Sequence, residues 1–298
     1  LGVVRTVRER LKPGTQIFVV EMGAKKLGDI RELCELVHPT LGIITAVGPQ
    51  HLSTFKNVEN VAKTKFELAD EVERNGGTMY LNADSPPVYE RAGHYRSVLY
   101  GVRGRSAACR AEEVGASRQG LSFTAVYGAR RIPVETRLLG SHSVLNILAA
   151  VCVACDLGLS DNEIKFAVSR LTPTPHRLEM KPFFHGSVLI DDAYNANPEG
   201  SLEAVRVLGS FAGCRRIVVT PGLVELGEAE YEHNRRLGEE IAKHCDTAVL
   251  VGKKRAVPIA EGIRAGGFPE ESLIVKETFA DALEYLRGTV TKDCAVLV

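Results

Sequence analysis

No stretch of the sequence is long and apolar enough to span a bilayer, and no secretory signal pattern opens it. The residues are therefore expected to fold in water, without membrane insertion and in the cytoplasm. Net charge is absent too: 37 Lys and Arg balance 37 Asp and Glu, which removes any global argument for a nucleic acid or an anionic membrane surface. Any phosphate-binding charge must be local. The seven cysteines are odd in number and several sit in apolar runs, which fits buried free thiols in a reducing cytoplasm better than a disulfide framework. Cys152 and Cys155 form CVAC, but there is no second pair, so neither a zinc nor a redox site is expected. The GxxxxGK[ST] pattern that cradles a triphosphate is missing, as is any short-period repeat. The chain also lacks an initiator Met and ends on the apolar run CAVLV, which reads as an internal portion of a longer polypeptide.

With 298 residues and 45% apolar content, the chain can form two ordinary cores. Apolar strands are expected at 16–20, 41–46 and 78–81, with helices at 28–37 and from residue 58 onward between them. That alternation is the pattern of a parallel sheet flanked by helices, an α/β class. Between residues 96 and 139 the rhythm changes to SVLYGV, LSFTAVYG and RIPVETRLL. Alternation in the last two predicts antiparallel strands appended to the parallel sheet. A buried helix follows at 143–157. Another opens on the capping box Ser160-Asp161-Asn162-Glu163 and runs to about residue 171.

Thr172-Pro173-Thr174-Pro175 disfavours helix and predicts an extended connector, dividing the chain into domains 1–174 and 175–298. Beyond it, five strands (187–191, 215–220, 247–251, 272–276, 294–298) alternate with four helices as a Rossmann-like, doubly wound domain.

The stretch VGPQHLSTFKNVENVAKTK, residues 47–65, draws the eye. His51 falls just past a strand end, and Lys65 falls on the apolar face of the next helix with Val58, Val61, Ala62, Ala69 and Val72. Lys63, Glu59, Glu67 and Asp70 take the opposite face. Burying an ammonium ion is costly, and the group tends to lose its proton instead. A neutral amine can add carbon dioxide and become a carbamate, an anionic oxygen ligand. With Glu21 at the end of the preceding strand and His51, it could bind Mg2+; alternatively the three are a helix-capping Glu, a loop His and a snorkelling Lys.

Asn146, in GSHSVLN, either offers its amide to a nucleotide base or is a satisfied core residue. Arg177, just past the Pro connector, either pairs with Glu179 or reaches a phosphate. The run IDDAYNANP places Asp191, Asp192, Tyr194, Asn195 and Asn197 directly after a buried strand, at the ligand-binding edge of the second sheet. An Asx turn explains Asn197 and Pro198 but not the acidic pair, and Asp192 could take both hydroxyls of a ribose. Glu225, in GLVELG, lies either in a substrate cleft or in an ordinary loop.

EMGA with GDI, then VGPQHL, AKTKFE, LNAD, GSHSVLNILAA, PHRLE, DDAYNANP and VTPGLVELG, in this order, resemble the Mur ligases. These are the ATP-dependent amide-bond-forming enzymes of peptidoglycan assembly, and the likeness extends over essentially the whole chain. The chain thus looks like the remainder of a Mur-ligase central domain followed by the C-terminal domain. DDAYNANP and ELG most resemble the branch that adds D-Ala-D-Ala to a UDP-MurNAc-tripeptide. The resemblance implies ATP and Mg2+ as cofactors, with Glu21, His51 and a carbamylated Lys65 at the metal. Asn146 would face adenine, Arg177 the phosphates and Asp192 the ribose, while Tyr194, Asn195, Asn197 and Glu225 would line the substrate cleft. Cell-wall biogenesis, cell shape and cell division are the processes implied, and a monomer is expected.

The family's N-terminal UDP-sugar domain and GKT-type loop are missing, and Ser143 stands where Asn or Gln is common. The 298 residues alone are therefore expected to be inactive. Two other readings remain open: a related folylpolyglutamate- or cyanophycin-type ligase, and a homologue without the phosphate loop that only binds a nucleotide or a partner.

Overall fold

The structure is a computed structural model that describes residues 2–48, 52–104, 106–117, 119–194 and 197–298. In chain order the first elements are α1 (Gly2–Glu9), α2 (Asp29–Val37), β1 (Leu41–Ile44), α3 (Leu52–Phe55), α4 (Val58–Arg74), β2 (Thr78–Asn82) and α5 (Pro86–Ala92). Then come β3 (Ser97–Gly101), β4 (Cys109–Ser117), β5 (Gly120–Tyr127), β6 (Arg130–Thr136), α6 (Ser141–Asp156) and α7 (Asp161–Ser169). The remainder is β7 (Glu179–Pro182), β8 (Val188–Asp191), α8 (Pro198–Gly209), β9 (Arg215–Thr220), α9 (Glu230–His244), β10 (Thr247–Val251), α10 (Lys253–Ala265), β11 (Leu273–Lys276), α11 (Phe279–Thr289) and β12 (Cys294–Leu297). The chain forms two compact units. One comprises residues 1–113, 124–133 and 144–165, the other residues 114–123, 134–143 and 166–298.

Strands β1 to β6 follow one another in sequence order in the first sheet, with β1, β2, β3 and β4 parallel where their registers meet. Two-residue connections join β4 to β5 and β5 to β6, too short for a crossover, so these neighbours run antiparallel. Helix α4 packs its Val61, Ala62, Phe66, Ala69 and Val72 into the core with Ile44, Met79 and Leu81. Asn57 caps it, its side chain accepting from the Asn60 N–H at 2.8 Å. The capping box before α7 forms as the sequence predicts: Ser160 N–H donates to Glu163 at 2.8 Å, and Glu163 N–H to Ser160 Oγ at 3.3 Å.

The second sheet has the order β11-β10-β9-β12-β8-β7. Period-two alternation gives it two buried faces. Val218, Ala248, Leu250, Ala295 and Leu297 join residues of α8, α9 and α10 in one core, while Ile217, Val219, Val249, Cys294 and Val296 meet α11 in another. Helices α9 and α10 approach backbone to backbone because Gly238 and Gly262 carry no Cβ; a methyl group on either would run into the facing helix's main chain.

Several sequence expectations need correction. The 16–20 segment forms no strand, and Ile17 and Val19 are exposed, because an apolar run becomes a strand only where a free sheet edge accepts it. Strand β1 stops at Ile44 instead of residue 46, where side chains take over the carbonyls. The second sheet holds six strands, not five, since β7 pairs antiparallel with β8. Strand β4 was not anticipated, because CRAEEVGAS buries only Cys109 and Ala111 and carries no sustained apolar alternation.

Glu67, placed on the solvent face of α4 by helical periodicity, is only 6% exposed. Its two carboxylate oxygens accept the Gly28 and Arg31 backbone N–H groups at 2.8 and 3.0 Å. An anion at a helix N-terminus satisfies orphan donors and complements the dipole. A wheel drawn on α4 alone cannot show that α2 covers its second side.

Glu67→Ala removes both bonds and leaves two N–H groups with reduced access to water. A loss of about 1–3 kcal/mol is expected, read by denaturant unfolding, with faster amide exchange at Gly28 and Arg31. Glu67→Gln, which keeps one acceptor oxygen, should recover part of it.

Candidate active site

The first unit's candidate site is built on the backbone that leaves β1. Past Ile44 the chain has left its ladder, and its polar groups need other partners. Four side chains supply them. Tyr100 Oη donates to Ile44 O at 3.4 Å, Asn82 Nδ2 to Thr45 O at 2.7 Å and Lys65 Nζ to Ala46 O at 2.8 Å, while Val47 N–H donates to Ser85 Oγ at 3.4 Å. Tyr100, Asn82 and Ser85 are all buried. The run into residues 48–51 thus starts from a rigid base.

Lys65 is half-buried on the side of α4 that faces this base. Burial lowers its pKa below the ordinary value of 10.5. Glu21 is exposed and makes no hydrogen bond or ion pair with the described residues. His51 lies outside the described residues.

A lysine that donates to a carbonyl is not itself a metal ligand. Carrying a carboxylate oxygen, it would be the same hard donor type as the Glu21 carboxylate, the type that suits a divalent ion such as Mg2+. Among the described residues no three His, Cys, Asp or Glu side chains gather as a metal cluster.

In the second unit, Asp191 and Asp192 at the end of β8 do different things. Asp191 Oδ2 accepts His176 Nδ1 at 2.8 Å and Lys181 Nζ at 2.7 Å. Burial pushes its pKa up, but the Lys181 and His176 hydrogen bonds hold it below the ordinary value. Asp192 gains only the Leu178 N–H, at 3.0 Å on Oδ1, and burial raises its pKa despite that bond.

Arg177 lies over the Tyr194 ring at 4.9 Å, and Tyr194 N–H donates to His176 O at 3.2 Å. The alternative pairing of Arg177 with Glu179 does not form, because Glu179 binds Lys181 at 2.8 Å and the His176 N–H at 3.1 Å. Arg177, Asp192 and Tyr194 are therefore brought together. Asn197 caps α8, accepting from the Gly200 N–H at 2.9 Å, and Asn195 lies outside the described residues.

Asn146 in α6 is exposed, and its amide makes no hydrogen bond with the described residues, unlike a satisfied core Asn. Glu225 is exposed in the loop after β9, with a left-handed backbone at φ +62°.

Sequence reasoning missed several supports. Asp84 of LNAD accepts the backbone N–H groups of Val102, Arg103 and Gly104 at 2.7, 3.0 and 2.8 Å, pinning that loop. Glu203 takes the Ser141 N–H and Oγ–H at 2.9 and 2.6 Å at the start of α6. Each joins residues far apart in the chain, and no local pattern announces such pairs. All seven cysteines are free thiols, as the composition implied.

Comparison with known proteins gives the family. Residues 1–154 match the family model for the Mur ligase middle domain, and residues 176–298 match that for the Mur ligase glutamate ligase domain. The UDP-N-acetylmuramoyl-tripeptide--D-alanyl-D-alanine ligase of Bacillus subtilis is 28% identical over 251 residues, covering 83% of this chain and 53% of the relative. The enzyme of the same name from Mycobacterium tuberculosis (strain CDC 1551 / Oshkosh) is 30% identical, covering 90% of this chain and 53% of its own length. The crystal structure of MurF ligase from Thermotoga maritima in complex with ADP superposes with a TM-score of 0.82 at 25% identity, over 99% of this chain and 66% of that one. The chain spans about half the length of the curated relatives it matches. With one family model covering more than half of its residues and a second covering residues 176–298, the chain belongs to the Mur ligase family.

Proposed function

We propose that the chain carries the ATP-handling and amine-accepting parts of an ATP-dependent ligase that joins D-Ala-D-Ala to a UDP-MurNAc-tripeptide. The observation that carries this reading is Lys65, a half-buried amine with a depressed pKa on the carbonyl that ends β1. The named relatives and the ADP-bound neighbour supply its direction.

In the proposed reaction the γ-phosphoryl group of ATP passes to the tripeptide carboxylate. The amine of D-Ala-D-Ala then attacks the acyl carbon, and phosphate leaves with the former C–O bond pair. Glu21, His51 and carbamylated Lys65 would hold Mg2+, which supplies charge neutralisation for crowded phosphate oxygens when bound. Asp192 keeps Oδ2 for ribose hydroxyls while Oδ1 stays on the Leu178 N–H. Arg177, stacked on Tyr194, holds its guanidinium flat for phosphate oxygens, and a planar fork suits them better than a point charge. Asn146 offers its free amide to the base. The reading is of a cytoplasmic enzyme acting as a monomer.

Two experiments on the native-length protein test it. In 13C-bicarbonate, NMR should detect a carbamate on Lys65 that is absent from Lys65→Arg. Because burial lowers the lysine pKa, the neutral amine accumulates below 10.5, so at fixed dissolved carbon dioxide the signal should rise with pH and level off earlier than for free lysine. Lys65→Ala should lose ligation by roughly a hundredfold or more and regain part of it with added short carboxylates; full activity would refute the assignment.

Separately, Arg177→Lys and Asp192→Asn should each raise the KM for ATP about tenfold, the equivalent of one lost charged hydrogen bond. Steady-state titration of ATP at saturating dipeptide reads the effect.

A further inference from the structure

Asn234, in the second turn of α9, is 4% exposed, and its carboxamide ties the loop after β9 to the first turn of the helix. Oδ1 accepts the Leu223 N–H at 2.8 Å, while Nδ2 donates to Leu223 O at 3.0 Å and to Glu230 O at 2.9 Å. One side chain thus satisfies both backbone groups of Leu223, as a neighbouring strand would. The approach is close enough to demand glycine next door: Gly222 has φ +85°, and a Cβ there would sit 2.7 Å from Asn234 Oδ1.

The loop is held again three residues on, where half-buried Leu226 packs on the core. Between the two anchors, Val224 and Glu225 are exposed. Glu225 has φ +62°, a conformation that costs a non-glycine residue free energy and persists only where the surroundings impose it. Its carboxylate forms no hydrogen bond or ion pair with the described residues.

We propose that Asn234 is a positioning residue, holding the 221–227 loop so that Glu225 receives the ammonium end of the incoming dipeptide. The inference rests on the ligase reading above. An α-amino group of pKa about 8 arrives largely protonated at neutral pH and needs an anion to dock against. At the carboxyl edge of the second sheet Asp191 is already paired with Lys181 and His176, and Asp192 is tied to Leu178. Glu225, Glu228 and Glu230, which follow β9, make no side-chain hydrogen bond or ion pair among the described residues, and of the three Glu225 is the one between the two anchors with a left-handed backbone. A strained, twice-anchored loop presenting an unpaired charge is the arrangement expected of a preorganised binding group.

The test uses the native-length protein. Turnover of D-Ala-D-Ala by the unaltered protein checks the ligase reading by itself; its absence would count against that reading. The loop is then probed independently of turnover: Asn234→Ala should abolish hydrogen-exchange protection of the Leu223 amide, and retained protection would overturn the positioning role.

With turnover present, Glu225→Gln should raise the KM for the dipeptide about tenfold, leave kcat and the KM for ATP within about twofold, and leave the melting temperature unchanged. Asn234→Ala should give the same KM split. Should it fail to fold, Asn234→Asp keeps the acceptor for Leu223 N–H. Its dipeptide KM, relative to the unaltered protein, should improve as pH falls and the carboxyl regains a donor. An unchanged dipeptide KM in Glu225→Gln, or equal rises in both KM values for the Asn234 variants in step with lost stability, overturns the proposal.

Discussion

The hydrogen bond from Lys65 to the Ala46 carbonyl is the constraint around which the first unit is arranged. It combines two demands that usually conflict. The carbonyl beyond the end of β1 needs a donor, and α4 must pack its apolar face on the sheet with a lysine in that face. One bond meets both, at the cost of desolvating an amine that then holds its proton less tightly. Asn82, Tyr100 and Ser85 complete the same task on neighbouring atoms, so the base of the 48–51 segment is fixed from β2, β3 and the start of α5 together. A site that must hold several ligands in register has reason to sit on such a base, since loops anchored only by their ends move.

Much of this was legible in the sequence, because the relevant signals are local. Helical periodicity put Lys65 among Val61, Ala62 and Ala69, and the structure leaves it half-buried there. In the second unit, the strand bounds fall within a few residues of those expected from alternation, with β9 and β10 matching throughout. The capping box at Ser160 is a four-residue signal, and it forms.

The illegible parts depend on partners distant in sequence. Glu67 reads as solvent-facing until α2 arrives with two bare N–H groups, and QIFVV reads as a strand although no ladder among the described residues includes it. Strand β7 is a four-residue EMKP that no propensity argument would select; pairing with β8 makes it a strand. Candidate site residues divide the same way. Arg177, Asp192 and Tyr194 were picked individually, but their convergence follows from the positive-φ backbone at His176 and Leu178, which turns the connector back toward β8.

The two candidate sites share a physical signature. Lys65 has its pKa lowered and Asp192 has its pKa raised, each shifted toward the neutral form by burial that the surrounding residues only partly offset. Asp191, one residue away from Asp192, shows the contrast: given Lys181 and His176, it stays a settled carboxylate and serves the fold. A purely structural role would favour supplying Lys65 and Asp192 with equally good partners, because an underpaired buried charge reduces stability. Such groups are most useful where a ligand completes them, the binding free energy then including the relief of their incomplete solvation. On the proposed ligase reading, Lys65 and Asp192 are the groups a ligand would complete, whereas Asp191, Glu67 and Asp84 already hold two or more of the fold's own donors.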